Sequence, residues 1–164
     1  MTEITFKGNP IKLEGTALSV GDKAPEFTAV ANDLSEVSSN DYAGKKRLIS
    51  VVPSLDTGVC STQTKKFNEA AGENNVTVLT VSNDLPFAQK RWCGAEGVDN
   101  VVTLSDHKLL DFANKYGVLM PNLRLLARSV FVIDENDTVQ YIEYVSEGTN
   151  EPDYEKALDV LNGL

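Results

Sequence analysis

Residues 48–71, LISVVPSLDTGVCSTQTKKFNEAA, constrain the fold more than any other stretch of the chain. They read as a buried strand (48–52), a turn opened by Pro53, and a helix that starts near Thr57 and carries Cys60 in its first turn. A first helical turn leaves backbone N–H groups unpaired and presents the positive end of the helix dipole. An anion is favoured there, and the thiolate is the nucleophilic form of cysteine. With Thr57 as N-cap, Cys60 is the N3 residue, the one an N-cap hydroxyl reaches, so Thr57 Oγ and Cys60 Sγ are expected close together. Helical steps from Cys60 give Thr64, Phe67 and Ala71, a mostly apolar face. That predicts a sulfur in a shallow pocket open to a small oxidant.

The remaining segments supply layers around this unit. Residues 4–6 and 11–13 alternate about Gly8-Asn9-Pro10 and predict a β-hairpin; 26–30 could be a short strand, and the polar stretch 35–46 reads as a surface connection. Gly72 is the expected end of the Cys60 helix, and the β-branched run 76–81 is a strand. Asp84-Leu85-Pro86 opens a second helix running through Trp92 and Cys93 to Gly94 or Gly97. A short strand at 101–104 follows. Ser105 or Asp106 then caps a predicted third helix with Leu109, Leu110, Phe112, Ala113 and Tyr116 on its apolar face and Gly117 as its stop. Residues 129–133 and 139–145 flank the turn Asp134-Glu135-Asn136-Asp137, and a last helix follows Pro152. A βαβ half followed by a ββα half predicts one α/β domain with helices on both faces of a mixed sheet.

Two cysteines cannot form a disulfide framework, and with a single histidine they make a poor zinc site. Redox chemistry or inert burial is left. Fifteen Lys and Arg against 24 Asp and Glu give a net charge of −9, which disfavours nucleic acid and anionic membrane, both polyanions, as partners. The opening MTEITFKGNP lacks a basic segment followed by an apolar one, and no run approaches the roughly 20 apolar residues that span a bilayer, so a cytoplasmic protein is the expectation.

Pro53, Thr57 and Cys60 form the pattern P-x-x-x-T-x-x-C, which resembles the active-site loop of peroxiredoxins. The fuller strings PSLDTGVC, ITFKGNPIKLEG, DLPFAQKRWC and LLARSVFVID resemble one branch, the bacterial thiol peroxidases, which are atypical two-cysteine peroxiredoxins. The match runs from about Thr5 to Leu158. The resemblance implies a thioredoxin-like fold and reduction of hydrogen peroxide and alkyl hydroperoxides through a Cys60 sulfenic acid. It further implies a Cys60–Cys93 intramolecular disulfide recycled by thioredoxin, Arg128 of the LLAR string as the active-site arginine, and Pro53 shielding the sulfur. No metal or cofactor is implied, and the family forms homodimers.

Cys93 lies 33 positions after Cys60, toward the end of its helix, where the dipole disfavours a thiolate. A resolving thiol needs only to attack a sulfenic acid. Peroxide attack also calls for a cation that donates in a fork; the chain offers Arg47, Arg91, Arg124 and Arg128. Asp56 is expected to face solvent, His107 to be a surface residue in the first turn of the third helix, and Trp92 to pack. A disulfide needs Cα atoms roughly 4.4–6.8 Å apart, so two thiols on separate helices predict that one helix end, or both, unwinds before they bond. Two rivals remain at this level. A thiol–disulfide oxidoreductase is disfavoured by the lack of C-x-x-C, and a binding protein with core cysteines predicts a Cys60 that reacts only on unfolding.

Overall fold

Three neighbouring strands whose side chains alternate between two apolar layers set the architecture. The structure is a computed structural model that describes residues 2–74 and 76–164. In chain order the elements are β1 (Glu3–Phe6), β2 (Asn9–Lys12), β3 (Thr28–Val30), β4 (Glu36–Ser38), β5 (Arg47–Val51), α1 (Gly58–Asn74), β6 (Thr77–Ser82), α2 (Pro86–Glu96) and β7 (Val102–Ser105). There follow α3 (Asp111–Tyr116), β8 (Leu119–Met120), β9 (Leu125–Leu126), β10 (Ser129–Ile133), β11 (Val139–Tyr144) and α4 (Tyr154–Asn162). The main sheet has the order β11-β10-β5-β6-β7-β3-β4. Its centre, β5-β6-β7, is parallel, and β10, β11, β3 and β4 are added antiparallel, giving the mixed sheet expected from the order of the elements.

Period-two alternation sends Ile49, Val51, Leu79, Val81, Phe131 and Ile133 to one face and Leu48, Val78, Val130 and Val132 to the other. The first face packs on α3 and on the N-terminal hairpin, with an aromatic cluster of Phe27, Phe112, Tyr116 and Phe131 in edge and stacked contact. On the second face lie Phe67 and Ala71 of α1, Ala157 and Leu161 of α4, and Trp92 of α2. Parallel pairing of β5, β6 and β7 carries the chain across the sheet through α1 and α2, so the turns after β5 and β6 emerge on the same edge.

Several local expectations need correcting. The hairpin turn is Lys7-Gly8, both at positive φ (52° and 80°), and Phe6 pairs with Asn9, so Asn9 and Pro10 belong to β2. Pro10 is tolerated in a two-stranded ribbon because its missing N–H can face outward. Gly72 does not stop α1, which runs to Asn74. The glycine instead makes room for the Asn100 amide, which would sit 2.7 Å from a Cβ at that position. The stretch 35–46 holds edge strand β4 and a 3-10 turn, Ser39–Tyr42. The third helix begins at Asp111, after Leu110 at φ 52°, and leaves Leu109 exposed. Asp106 still caps it, from a distance: its carboxylate accepts the Phe112 and Ala113 N–H groups at 2.9 Å each. Burial raises that carboxyl to about 6 despite the two bonds.

Candidate active site

β10 runs antiparallel beside β5 with Ser129 opposite Val51, so the residue before β10, Arg128, is held against the turn that leaves β5. That turn contains buried Pro53 and leads into α1. Thr57 is the residue before the helix, and its Oγ1 accepts the Cys60 N–H at 3.3 Å, the expected N-cap to N3 contact. The same hydroxyl donates to the Ser54 carbonyl at 3.4 Å, fixing the turn on itself. The contact is made with the Cys60 backbone; the sulfur has a different partner.

Arg128 Nη2 donates to Cys60 Sγ at 3.2 Å, Nη1 donates to Gln63 Oε1 at 2.9 Å, and Nε donates to the Gly148 carbonyl at 3.0 Å. Arg128 is 2% exposed and Cys60 0%. A buried guanidinium with all three branches engaged is a fixed positive charge pointed at a sulfur that also sits in a helix's first turn. Gln63 is positioned in turn by its Nε2, which donates to Ser50 Oγ at 2.8 Å. Val52, Leu55 and Trp92 pack over Cys60, so the sulfur is covered and not in the shallow open pocket expected from its helix face. A cleft of about 530 Å³ adjoins the same helical turn, lined by Gly58, Val59 and Thr62 on one side and Thr149, Asn150 and Glu151 on the other.

The other candidates separate cleanly. Arg47 lies at the far end of β5, paired with Asp137 at 2.9 Å and donating to the Tyr42 and Lys45 carbonyls. Arg91 and Arg124 are exposed, as are Asp56 and His107. His107 precedes α3 and its Nδ1 lies 2.8 Å from Ser105 Oγ.

Cys93 is in α2, half-buried, and is a free thiol like Cys60. Its Sγ makes a weak contact, donating to Thr103 Oγ1 at 3.9 Å. Burial pushes the Cys93 thiol up. Two polar residues, partly buried Asp84 and buried Gln89, tie its surroundings to the Cys60 turn. Asp84 accepts Ser54 Oγ–H, the Leu55 N–H and Ser82 Oγ–H at 2.8 Å each. Gln89 donates to Ser82 Oγ and the Leu104 carbonyl, pinning the middle of α2 to β6 and β7. Trp92, one position from Cys93, packs against Cys60. Sequence reasoning missed Gln63, Asp84 and Gln89. Gln63 carried one usable signal, its place three residues after Cys60 on the sheet-facing side of α1.

The Redoxin family model matches residues 19–158. The chain is 64% identical to a thiol peroxidase of Halalkalibacterium halodurans over 160 residues, 97% of this chain and 96% of that one. It is 61% identical to a thiol peroxidase of Staphylococcus epidermidis over the full length of both. Among solved structures, a peroxiredoxin-like protein from Aquifex aeolicus superimposes with a TM-score of 0.92 at 44% identity, covering 99% of this chain and 97% of that one.

Proposed function

This chain belongs to the Redoxin family and, within it, to the thiol peroxidases, and from that premise we propose that Cys60 is the sulfur that attacks the peroxide and Cys93 the one that resolves it. The Cys60 thiolate attacks the terminal oxygen of a hydroperoxide: an S–O bond forms, the O–O bond breaks, and the other oxygen leaves, takes a proton and departs as water or an alcohol. The sulfur is left as a sulfenic acid. Cys93 then condenses with it, releasing water and forming the Cys60–Cys93 disulfide, which a dithiol, thioredoxin, reduces by exchange. Hydrogen peroxide and alkyl hydroperoxides are the substrates.

The observation that carries this reading is the 3.2 Å contact from Arg128 Nη2 to Cys60 Sγ. A donor placed there stabilises negative charge on sulfur and, as the reaction proceeds, on the peroxide oxygens. Thr57 orders the turn, and Pro53 closes the loop beside it. Because Cys60 is covered and Cys93 is on another helix, resolution requires the end of α1, part of α2, or both to unwind. The reading includes a homodimer, for which exposed Leu85, Phe87 and Leu123 offer apolar surface near one another, Asn83 Nδ2 donating to the Arg124 carbonyl at 2.7 Å. It also includes a cytoplasmic location, where two unpaired thiols are kept reduced. Among the described residues no helix is long and apolar enough to cross a membrane.

The test is mass analysis after stoichiometric hydrogen peroxide. The wild-type chain should lose two hydrogens as a disulfide, Cys93→Ser should hold a sulfenic acid at Cys60, and Cys60→Ser should leave Cys93 unoxidised. Oxidation of Cys93 in the Cys60→Ser chain would overturn the assignment.

A further inference from the structure

Arg128 points at Cys60 because its other donors are fixed, and one of the fixing groups belongs to a connection outside any strand or helix. The Gly148 carbonyl, which accepts Arg128 Nε–H at 3.0 Å, lies in the segment between β11 and α4. That segment is clasped by the N-terminal hairpin, some 140 residues away in sequence. The Thr5 N–H donates to the Ser146 carbonyl at 2.8 Å and the Gly148 N–H to the Thr5 carbonyl at 2.7 Å. The Glu147 carboxylate spans the junction. Its Oε1 accepts Thr5 Oγ1–H at 3.0 Å and the Gly8 N–H at 2.7 Å, and its Oε2 accepts the Thr149 N–H at 2.7 Å and hydroxyl at 2.6 Å.

Packing makes the junction specific. The Phe6 ring closes on Gly148 so tightly that a Cβ there would lie 2.5 Å from Cδ2. The next residues, Thr149, Asn150 and Glu151, form one wall of the cleft beside the first turns of α1. The Thr149 hydroxyl and N–H, with Gly8 and Thr5 behind them, bring the Glu147 carboxyl down to about 2, so it is ionised at any working pH.

We propose that Glu147 is a positioning residue for the peroxide reaction: by joining the β1–β2 hairpin to residues 146–149 it fixes the Gly148 carbonyl, and through that carbonyl the Arg128 guanidinium against the Cys60 sulfur. The inference rests on Cys60 being the attacking sulfur. An anchored carbonyl removes the rotational freedom a three-branched cation would otherwise keep, and near-attack geometry is sensitive to displacements of about 1 Å.

Glu147→Gln in the full chain tests it, since the amide loses the charge and turns donors toward donors. Two quantities are read: the rate of Cys60 oxidation in a first turnover with hydrogen peroxide, and solvent exchange of the Arg128 Nε–H in a nitrogen-15 spectrum. The rate should fall about tenfold, and the Nε–H should exchange faster, while the melting temperature stays within a few degrees of wild type. A role in stability alone would lower the melting temperature and leave exchange and rate as they are. Unchanged Nε–H exchange overturns the proposal, and so does faster exchange with an unchanged rate. Gly148→Ala reaches the same carbonyl from the other side by pressing on Phe6. It should slow the reaction comparably, with Phe6→Leu in the same chain restoring most of the loss; no restoration overturns the link through the carbonyl. If wild-type Cys60 is inert to peroxide, the functional reading fails, and the exchange comparison still decides whether the clasp orders Arg128.

Discussion

Cys60 and Cys93 occupy opposite ends of their helices. Cys60 is in the first turn of a 17-residue helix, capped by Thr57, wholly buried, with a buried guanidinium 3.2 Å from its sulfur. Cys93 is four positions before the left-handed Gly97 that ends an 11-residue helix; its carbonyl accepts the Gly97 and Val98 N–H groups. The N-terminus of that second helix has Leu85 and no side-chain cap. The first sulfur is over-determined and the second is barely held. Such a division suits a nucleophile that must be ready before substrate arrives and a resolving thiol that must travel to it.

The hardest test of the division compares arginines. Arg128→Met keeps an unbranched stem and removes the guanidinium, its charge and all three hydrogen bonds, leaving Gln63 Oε1 and the Gly148 carbonyl without their donor. Peroxide attack should slow by about 100-fold or more, the usual loss when a fixed donor to a developing anion is deleted. Arg91→Met alters an exposed cation two residues from Cys93 and should change the same rate by less than about threefold, because solvent screens it. Stopped-flow measurement of the first turnover gives both numbers. Equal effects would mean that net charge, not the buried fork, supports the reaction.

These roles were unequally legible in the sequence. Pro53, Thr57 and Cys60 could be placed because strand, turn and cap follow one another within a few residues, and each leaves a local signature. Pro86 marked the start of the second helix for the same reason, and of the two glycines read as its stop, Gly94 and Gly97, the left-handed Gly97 ends it. Asp84 and Glu147 could not be placed, since their partners stand 29 and 142 positions away, and Gln63 had only its helical spacing from Cys60 to mark it, with Arg128 65 positions away. Gly72 misled because one glycine can serve as a stop or as room for a neighbour, and only the Asn100 amide decides which. The third helix misled because its capping carboxylate, Asp106, acts across a left-handed Leu110 and not from the adjacent position.

A second test uses pH and bears on Cys93 alone. Burial raises its thiol above the ordinary cysteine range, so at neutral pH the group is protonated and its thiolate fraction grows about tenfold per pH unit until that raised value is reached. If the thiolate attacks the sulfenic acid, disulfide formation should accelerate steadily from pH 7 to 9 without levelling. The phase is isolated by loading Cys60 with one equivalent of peroxide and following closure by quenched-flow mass analysis. A rate flat over that interval would show that helix unwinding, and not ionisation of Cys93, limits closure.

The smallest effects separate the two helix ends most finely. Thr57→Val keeps the side-chain shape but removes the acceptor of the Cys60 N–H, a cap worth about 1 kcal/mol. Gly97→Ala has open space around the added methyl, so its penalty, also about 1 kcal/mol, comes from the backbone at φ 67°. The two substitutions therefore loosen different turns by similar amounts. Thr57→Val disorders the turn that carries Cys60 and, on the proposed mechanism, should slow attack a few-fold, with little effect on closure once the sulfenic acid exists. Gly97→Ala frees the carbonyl bonds that hold the turn containing Cys93; attack should be unchanged and closure a few-fold faster, because unwinding begins from a less stable state. Should Gly97→Ala slow closure instead, the end of α2 must be intact when the sulfurs meet, and the movement that joins them belongs to α1.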